Sequence, residues 1–235
     1  MATRRLLAEL ADLCERATGI TVCVESVGGI DAARRVRAGE SYDLIVLAAD
    51  TIDDLADEGW VLAETRKSLA ESCVAIAMRS GTRLYDVKTE DALCQAVLSA
   101  NRIGYSSGPS GTALMALFAR WGVLDALRGR LVQARPGTPV ASLIASRQVE
   151  LGFQQLSELK DEAGVAVLGL MPPGIEIVTT FAGVVGRGCM QHSAARAVLD
   201  VLGSPAFNEI KFRCGMAPPG TNLSSKTSLD SDYTS

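Results

Sequence analysis

The feature that most constrains this chain is an alternation of short apolar runs with segments of helical period, kept up from Leu6 to Leu202. Tyr42 to Leu47 reads YDLIVL, the nearly continuous apolar run expected of a strand buried on both faces. Ahead of it, Leu6, Leu7, Leu10, Leu13 and Cys14 share a helical face that Gly19 stops. A short β-branched strand over Ile20–Val24, a Gly28-Gly29 turn and a helix over Asp31–Ala38 follow. Beyond the YDLIVL strand, Asp50 is placed to cap a helix over Thr51–Glu58. Strands are then expected over Cys73–Met78, Arg102–Tyr105, Leu131–Ala134, Glu150–Phe153 and Val165–Leu168. Helices over Glu90–Leu98, Gly108–Arg120 and Val140–Ser146 alternate with them. A β-rich stretch over Ile175–Val185 and a helix over Ser193–Leu202 complete the pattern. Such repetition specifies an α/β fold with parallel sheets. Residues 217–235 are polar, rich in Ser and Thr and without period, and read as a disordered tail.

Several function classes are disfavoured. Lys and Arg total 23 against 27 Asp and Glu, a net charge of -4, so no basic patch for nucleic acid is expected. No apolar run reaches the ~18–20 residues that span a bilayer, so no membrane insertion is expected. The first residues, MATRRLLAEL, contain no apolar h-region. The chain as written therefore reads as cytoplasmic, or periplasmic if an upstream segment is missing. Six scattered cysteines and one histidine, His192, argue for buried or free thiols and no metal site. Gly108-Pro109-Ser110-Gly111 lacks the lysine of a P-loop, and no GxSxG elbow occurs. No cofactor is expected.

In α/β sheets ligands bind outside the carboxyl ends of parallel strands. Here those positions hold Ser26 with Gly28-Gly29, Ala48-Ala49-Asp50, Ser106-Ser107 through Ser110-Gly111, and Gln154-Gln155. They offer hydroxyls, amides and exposed backbone N–H groups, and helix starts follow several of them. That chemistry suits a small anion. The candidate ligand-binding residues are Ser26, Gly28, Gly29, Arg34, Ser106, Ser107, Ser110, Gly111, Gln154 and Gln155.

The order of Thr18-Gly19, Ala38-Gly39, Ala48-Ala49-Asp50, Ile103-Gly104, Pro109-Ser110-Gly111 and Val149 through Phe153 resembles the molybdate-binding class of solute-binding proteins. The likeness covers roughly residues 6 to 215 and implies a type II periplasmic binding-protein fold of two lobes around a cleft. Lobe 1 would hold 1–78 and 175–216, lobe 2 would hold 79–174, and 217–235 would be the tail. The hinge would lie near Ser72–Met78 and Ile175–Phe181. The implied role is the anion-binding component of an ABC-type transporter, working as a monomer with a permease partner.

The sequence departs from that family in three places. The family's first strand and its hydroxyl-bearing loop are not present ahead of the first helix. The second serine loop is replaced by Gly28-Gly29-Ile30, and the tyrosine ligand falls near Gln155. Serines, amides and an arginine in place of a tight hydroxyl ring suit carboxylates. A branch of the same fold resembles aconitate isomerase, which moves a double bond within a tricarboxylate. That alternative requires a base. No residue stands out as one; Asp31 and Glu25 are the carboxylates nearest the expected cleft, and His192 lies in the carboxyl-terminal part.

Overall fold

The protein is described by a computed structural model over residues 1–221. In chain order its elements are α1 (Arg4–Thr18), α2 (Gly29–Arg37), β1 (Leu44–Ala48), α3 (Ala49–Asp57), β2 (Val61–Arg79), α4 (Glu90–Ser99) and β3 (Ile103–Tyr105). Then come α5 (Pro109–Arg120), β4 (Leu131–Gln133), α6 (Val140–Ala145), β5 (Leu151–Gln155), α7 (Leu156–Leu159), β6 (Val165–Leu170), β7 (Val178–Gly186), α8 (His192–Leu202) and α9 (Asn208–Arg213). The chain divides into two compact units, Met1–Ser72 with Thr179–Thr221 and Cys73–Val178.

In the first unit, Leu6, Leu10 and Cys14 recur every four residues and bury one stripe of α1. The stripe packs in one cluster with Val198 and Leu202 of α8. Gly19 ends α1 at φ 71°, a left-handed cap that a Cβ would penalise. β1 pairs antiparallel with β7, Leu44 opposite Val185 through Ala48 opposite Phe181. Ile45 and Leu47 face the cluster of α2 and α3, whereas Leu44 and Val46 lean on that of α1 and α8. This two-sided burial is why YDLIVL is apolar nearly throughout.

The second unit repeats the logic on β2, whose Val74 to Met78 are all buried. Val74 and Ile76 join the cluster of α4 and α5. Ala75 and Ala77 join that of α6 and α7. β2 pairs antiparallel with β5 and with β6. β3 lies parallel to both β4 and β5. Gly104 of β3 stands beside Gly152 of β5 in that register. A Cβ at Gly104 would come within 3.0 Å of a Val140 methyl, and one at Gly152 within 2.6 Å of Ile144 Cδ1. Two adjacent glycines therefore let α6 press close to the sheet.

Four sequence expectations need correction. Ile20–Val24 is not a strand: residues 20–28 carry no regular structure. β-branched residues favour extension, but a strand requires a ladder partner, and none is supplied among the described residues. Ile20 and Val22 still pack side chains onto the α1 cluster. The sheets are mixed, because β2 and β7 run antiparallel to neighbours. Asp50 lies in the first turn of α3, not at its N-cap, which is Ala48. The expected tail over 217–235 falls mainly on 222–235, outside the described residues. Its first residue, Ala217, is fully buried and exchanges backbone hydrogen bonds with Glu71 of β2.

Candidate functional site

The sequence-predicted residues divide between the units, and each half is built by its own elements. In the first unit, Ser26 is half-buried in the irregular stretch before α2. Gly28 is the N-cap of α2 at φ -60°, ψ 143°, and Gly29 is its first residue. A Cβ on Gly29 would meet only Leu47 Cδ2 at 3.9 Å, so packing does not exclude a side chain there. What the pair supplies is uncovered backbone at a helix start. Arg34 is 75% exposed and bonds Asp31 at 3.0 Å. Arg35 is tied to Glu25 and to Glu40 and lies over the Tyr42 ring, 5.7 Å from its centroid. Glu25, Arg35 and Tyr42 rim a small cavity of about 80 Å³ floored by Leu44 to Leu47. His192 opens α8, its Nε2 2.7 Å from the Cys189 carbonyl oxygen.

In the second unit the parallel β3–β5 register brings Ser106 and Gln154 to the same sheet edge, one residue past the last ladder pair. Ser106 Oγ and Ser110 Oγ lie 2.9 Å apart, and Ser110 is buried. Gly111 makes that geometry possible, since a Cβ there would sit 1.9 Å from the Ser106 carbonyl oxygen. Pro109 starts α5, and no side chain caps the helix. The Ser110 N–H has no protein acceptor among the described residues. A 12-residue helix thus presents a free donor and its positive dipole end beside two hydroxyls. Ser107 is half-buried in the same loop.

Gln154 and Gln155 end β5 and are both 4% exposed. Successive strand residues face opposite sides of a sheet, so the two amides cannot act as a pair on one face. Gln154 follows Gly152 on the α6 side, and its Oε1 accepts the Val140 N–H at 2.7 Å. The Pro139 N-cap contributes no side-chain bond, so Gln154 performs that capping role for α6. Gln155 faces the other side, with Phe153 and the α5 cluster.

The chain turns straight from β5 into α7, which brings Glu158 back to Gln154. Burial raises the Glu158 carboxyl above its ordinary range, and a hydrogen bond with Gln154 pulls the other way. Because the Gln154 oxygen is committed to Val140, its amide N–H₂ must be the donor. Sequence reasoning missed both Glu158 and the α6 N-terminus. Only the position of an acid just past a strand end could have pointed to the first. Among the described residues no three His, Cys, Asp or Glu side chains gather as a metal site. None of the six cysteines is joined in a disulfide.

A sequence model of bacterial extracellular solute-binding proteins matches residues 1–217. The chain belongs to that family. Within reach of it is an aconitate isomerase from Pseudomonas sp., 31% identical over 205 residues, which are 84% of this chain and 78% of the relative. Among solved structures, the periplasmic molybdate-binding protein of Azotobacter vinelandii superposes with a TM-score of 0.74 at 20% identity. That match covers 91% of this chain and 94% of the neighbour. A substrate-binding protein of an ABC transporter from Agrobacterium tumefaciens gives 0.70 at 16% identity, covering 88% and 74%. The fold is accordingly the two-lobe periplasmic binding-protein fold. No helix among the described residues is long and apolar enough to cross a membrane.

Proposed function

We propose that this family member binds a small polycarboxylate and moves the double bond of aconitate between its cis and trans forms. One arrangement carries the reading. The hydroxyls of Ser106 and Ser110 and the open start of α5 stand at the carboxyl end of β3, in parallel register with the end of β5. Hydroxyl and N–H donors match carboxylate oxygens. An extended tricarboxylate can spread its carboxylates over these donors. The 31% identity to an aconitate isomerase supports the same ligand class.

A second reading is capture of a small anion for an ABC permease, supported by the family match and the molybdate-binding neighbour. One screen separates the two. Thermal unfolding is followed with trans-aconitate, cis-aconitate, citrate, molybdate, tungstate and sulfate, with an absorbance assay of aconitate interconversion alongside. A ligand at 100 times its Kd adds about 2.7 kcal/mol. Stabilisation by the aconitates with turnover is expected. Stabilisation by oxyanions alone selects the second reading, and no response to any anion refutes both.

A further inference from the structure

Resting on the polycarboxylate reading, we infer that Arg135 sets specificity in the second unit: its guanidinium takes one carboxylate of the ligand in a paired contact, while the Ser106 and Ser110 hydroxyls and the start of α5 take another. No motif marks this residue; the sheet places it. β4 lies parallel to β3, with Tyr105 opposite Gln133. The pairing runs one residue further, because Ala134 donates its N–H to the Tyr105 carbonyl oxygen at 2.8 Å. Arg135 therefore leaves β4 at the carboxyl edge where Ser106 leaves β3, on the strand next to it, at a spacing of about 4.8 Å. Its face follows from the pleat. Val132 and Ala134 join the cluster of α6 and α7, whereas Leu131 joins that of α4 and α5. A residue before proline is held extended, so Pro136 carries the alternation one step on. Arg135 falls on the side of Leu131, the side that α5 covers. A proline–glycine turn follows at once, with Gly137 at φ 78° and the Thr138 N–H on the Arg135 carbonyl oxygen at 2.9 Å. The backbone that carries the guanidinium is thus fixed by a ladder bond on one side and a turn on the other.

Charge separates Arg135 from the other donors. The segments that leave the sheet at this edge are 106–111, 134–139 and 154–159, and Arg135 is the one basic residue in them. Hydroxyls and backbone N–H groups carry no net charge, so alone they leave the charge of a ligand with several carboxylates unmatched. Arg135 is exposed and has no ion pair among the described residues. In the first unit, by contrast, Arg34 is held by Asp31, and Arg35 by Glu25 and Glu40. Arg130, just ahead of β4, gives its N–H groups to the carbonyl oxygens of Leu98, Ala100 and Ala126. A free surface arginine is common in itself, and Arg102 is another, but Arg102 precedes β3 at the opposite edge of the sheet. Position and freedom together single out Arg135. Its planar fork matches the two oxygens of a carboxylate, which a lysine ammonium does not.

The test is calorimetric titration of trans-aconitate into wild type, Arg135→Ala, Arg135→Lys and the control Arg102→Ala, each checked for folding by circular dichroism. Loss of a charge-assisted pair should raise Kd at least ~10-fold in Arg135→Ala. Arg135→Lys should also bind more weakly than wild type, since the ammonium keeps the charge but not the fork. Arg102→Ala should stay within about twofold of wild type, because a distant exposed charge is screened. A loss below ~10-fold in Arg135→Ala overturns the inference. So does wild-type affinity in Arg135→Lys, or an equal loss in Arg102→Ala, which reduces the effect to net charge. Each of these results leaves the polycarboxylate reading standing, because the wild type binds. A wild type that takes up no aconitate overturns that reading and this inference together. Should Arg135→Ala melt early, Arg135→Gln takes its place under the same threshold.

Discussion

Replacing Gln154 by leucine tests whether this side chain holds the site together. The substitution keeps approximate volume but removes the acceptor of the Val140 N–H, a 2.7 Å bond at a residue whose exposure is 0%. Water has no access to that N–H, and the helix has no other side-chain cap. A buried donor left unsatisfied costs about 1–3 kcal/mol. With a midpoint of ~2 kcal/mol, and about 2–4 °C per kcal/mol in a chain of this size, melting should fall by roughly 4–8 °C. A double-mutant cycle isolates the bond. Val140→Pro removes the N–H at a helix position that tolerates proline, and its lost packing against Gly104 and Gly152 cancels in the cycle. Urea unfolding of wild type, both single variants and the double variant should give a coupling of about 1–2 kcal/mol. A coupling under about 0.5 kcal/mol would refute the capping role, and with it the argument that fixes the donor geometry toward Glu158.

Gly111→Ala should abolish the aconitate-dependent thermal shift, because its Cβ would sit 1.9 Å from the Ser106 carbonyl oxygen and force α5 away from Ser106. Overpacking of this kind costs about 1–3 kcal/mol, so circular dichroism should still report a folded chain. Burial, with the Glu9 carboxylate 3.6 Å from the sulfur, pushes the Cys214 thiol up to about 11 from 9.0. The folded state thus holds the proton more tightly than the unfolded one, and this stabilisation is intact below pH 9 and lost as pH rises to about 11. Urea midpoints across that range should fall less steeply in Cys214→Ala than in wild type. Arg34→Ala should change stability by less than about 0.5 kcal/mol in the same urea assay, since its pair with Asp31 is solvent-exposed.

The parts of the fold legible in the sequence are those set by burial along a single element. Tyr42–Leu47 announced a strand covered on both faces, and Leu6, Leu10 and Cys14 announced a helix stripe. Ile20–Val24 misled for the complementary reason, since its β-branched residues speak for extension but say nothing of who pairs with them. The second-unit loop was legible as chemistry because Ser106, Ser110 and Gly111 are close in sequence. Gln154 and Gln155 read as a pair of amides, and only the strand pleat separates them onto opposite faces. The partner that orients Gln154 is 14 residues away in another element, at a helix start. Glu158 carries no motif, and its meaning comes from the turn that folds it back onto Gln154.

The two units also differ in how the ribosome must deliver them. Residues 73–178 leave as one uninterrupted stretch, with every strand and helix of their unit included. Residues 1–72 emerge earlier but cannot finish, because β7, the antiparallel partner of β1, and α8, which covers α1, belong to the carboxyl-terminal stretch. At ~5–20 residues per second, the roughly 100 intervening residues keep that opening segment waiting on the order of 5–20 s. Throughout this interval the apolar stripe of Leu6, Leu10 and Cys14 has no α8 to cover it. The middle of the polypeptide is therefore the first part able to mature, and the nascent amino-terminal segment is where a holding chaperone would be needed.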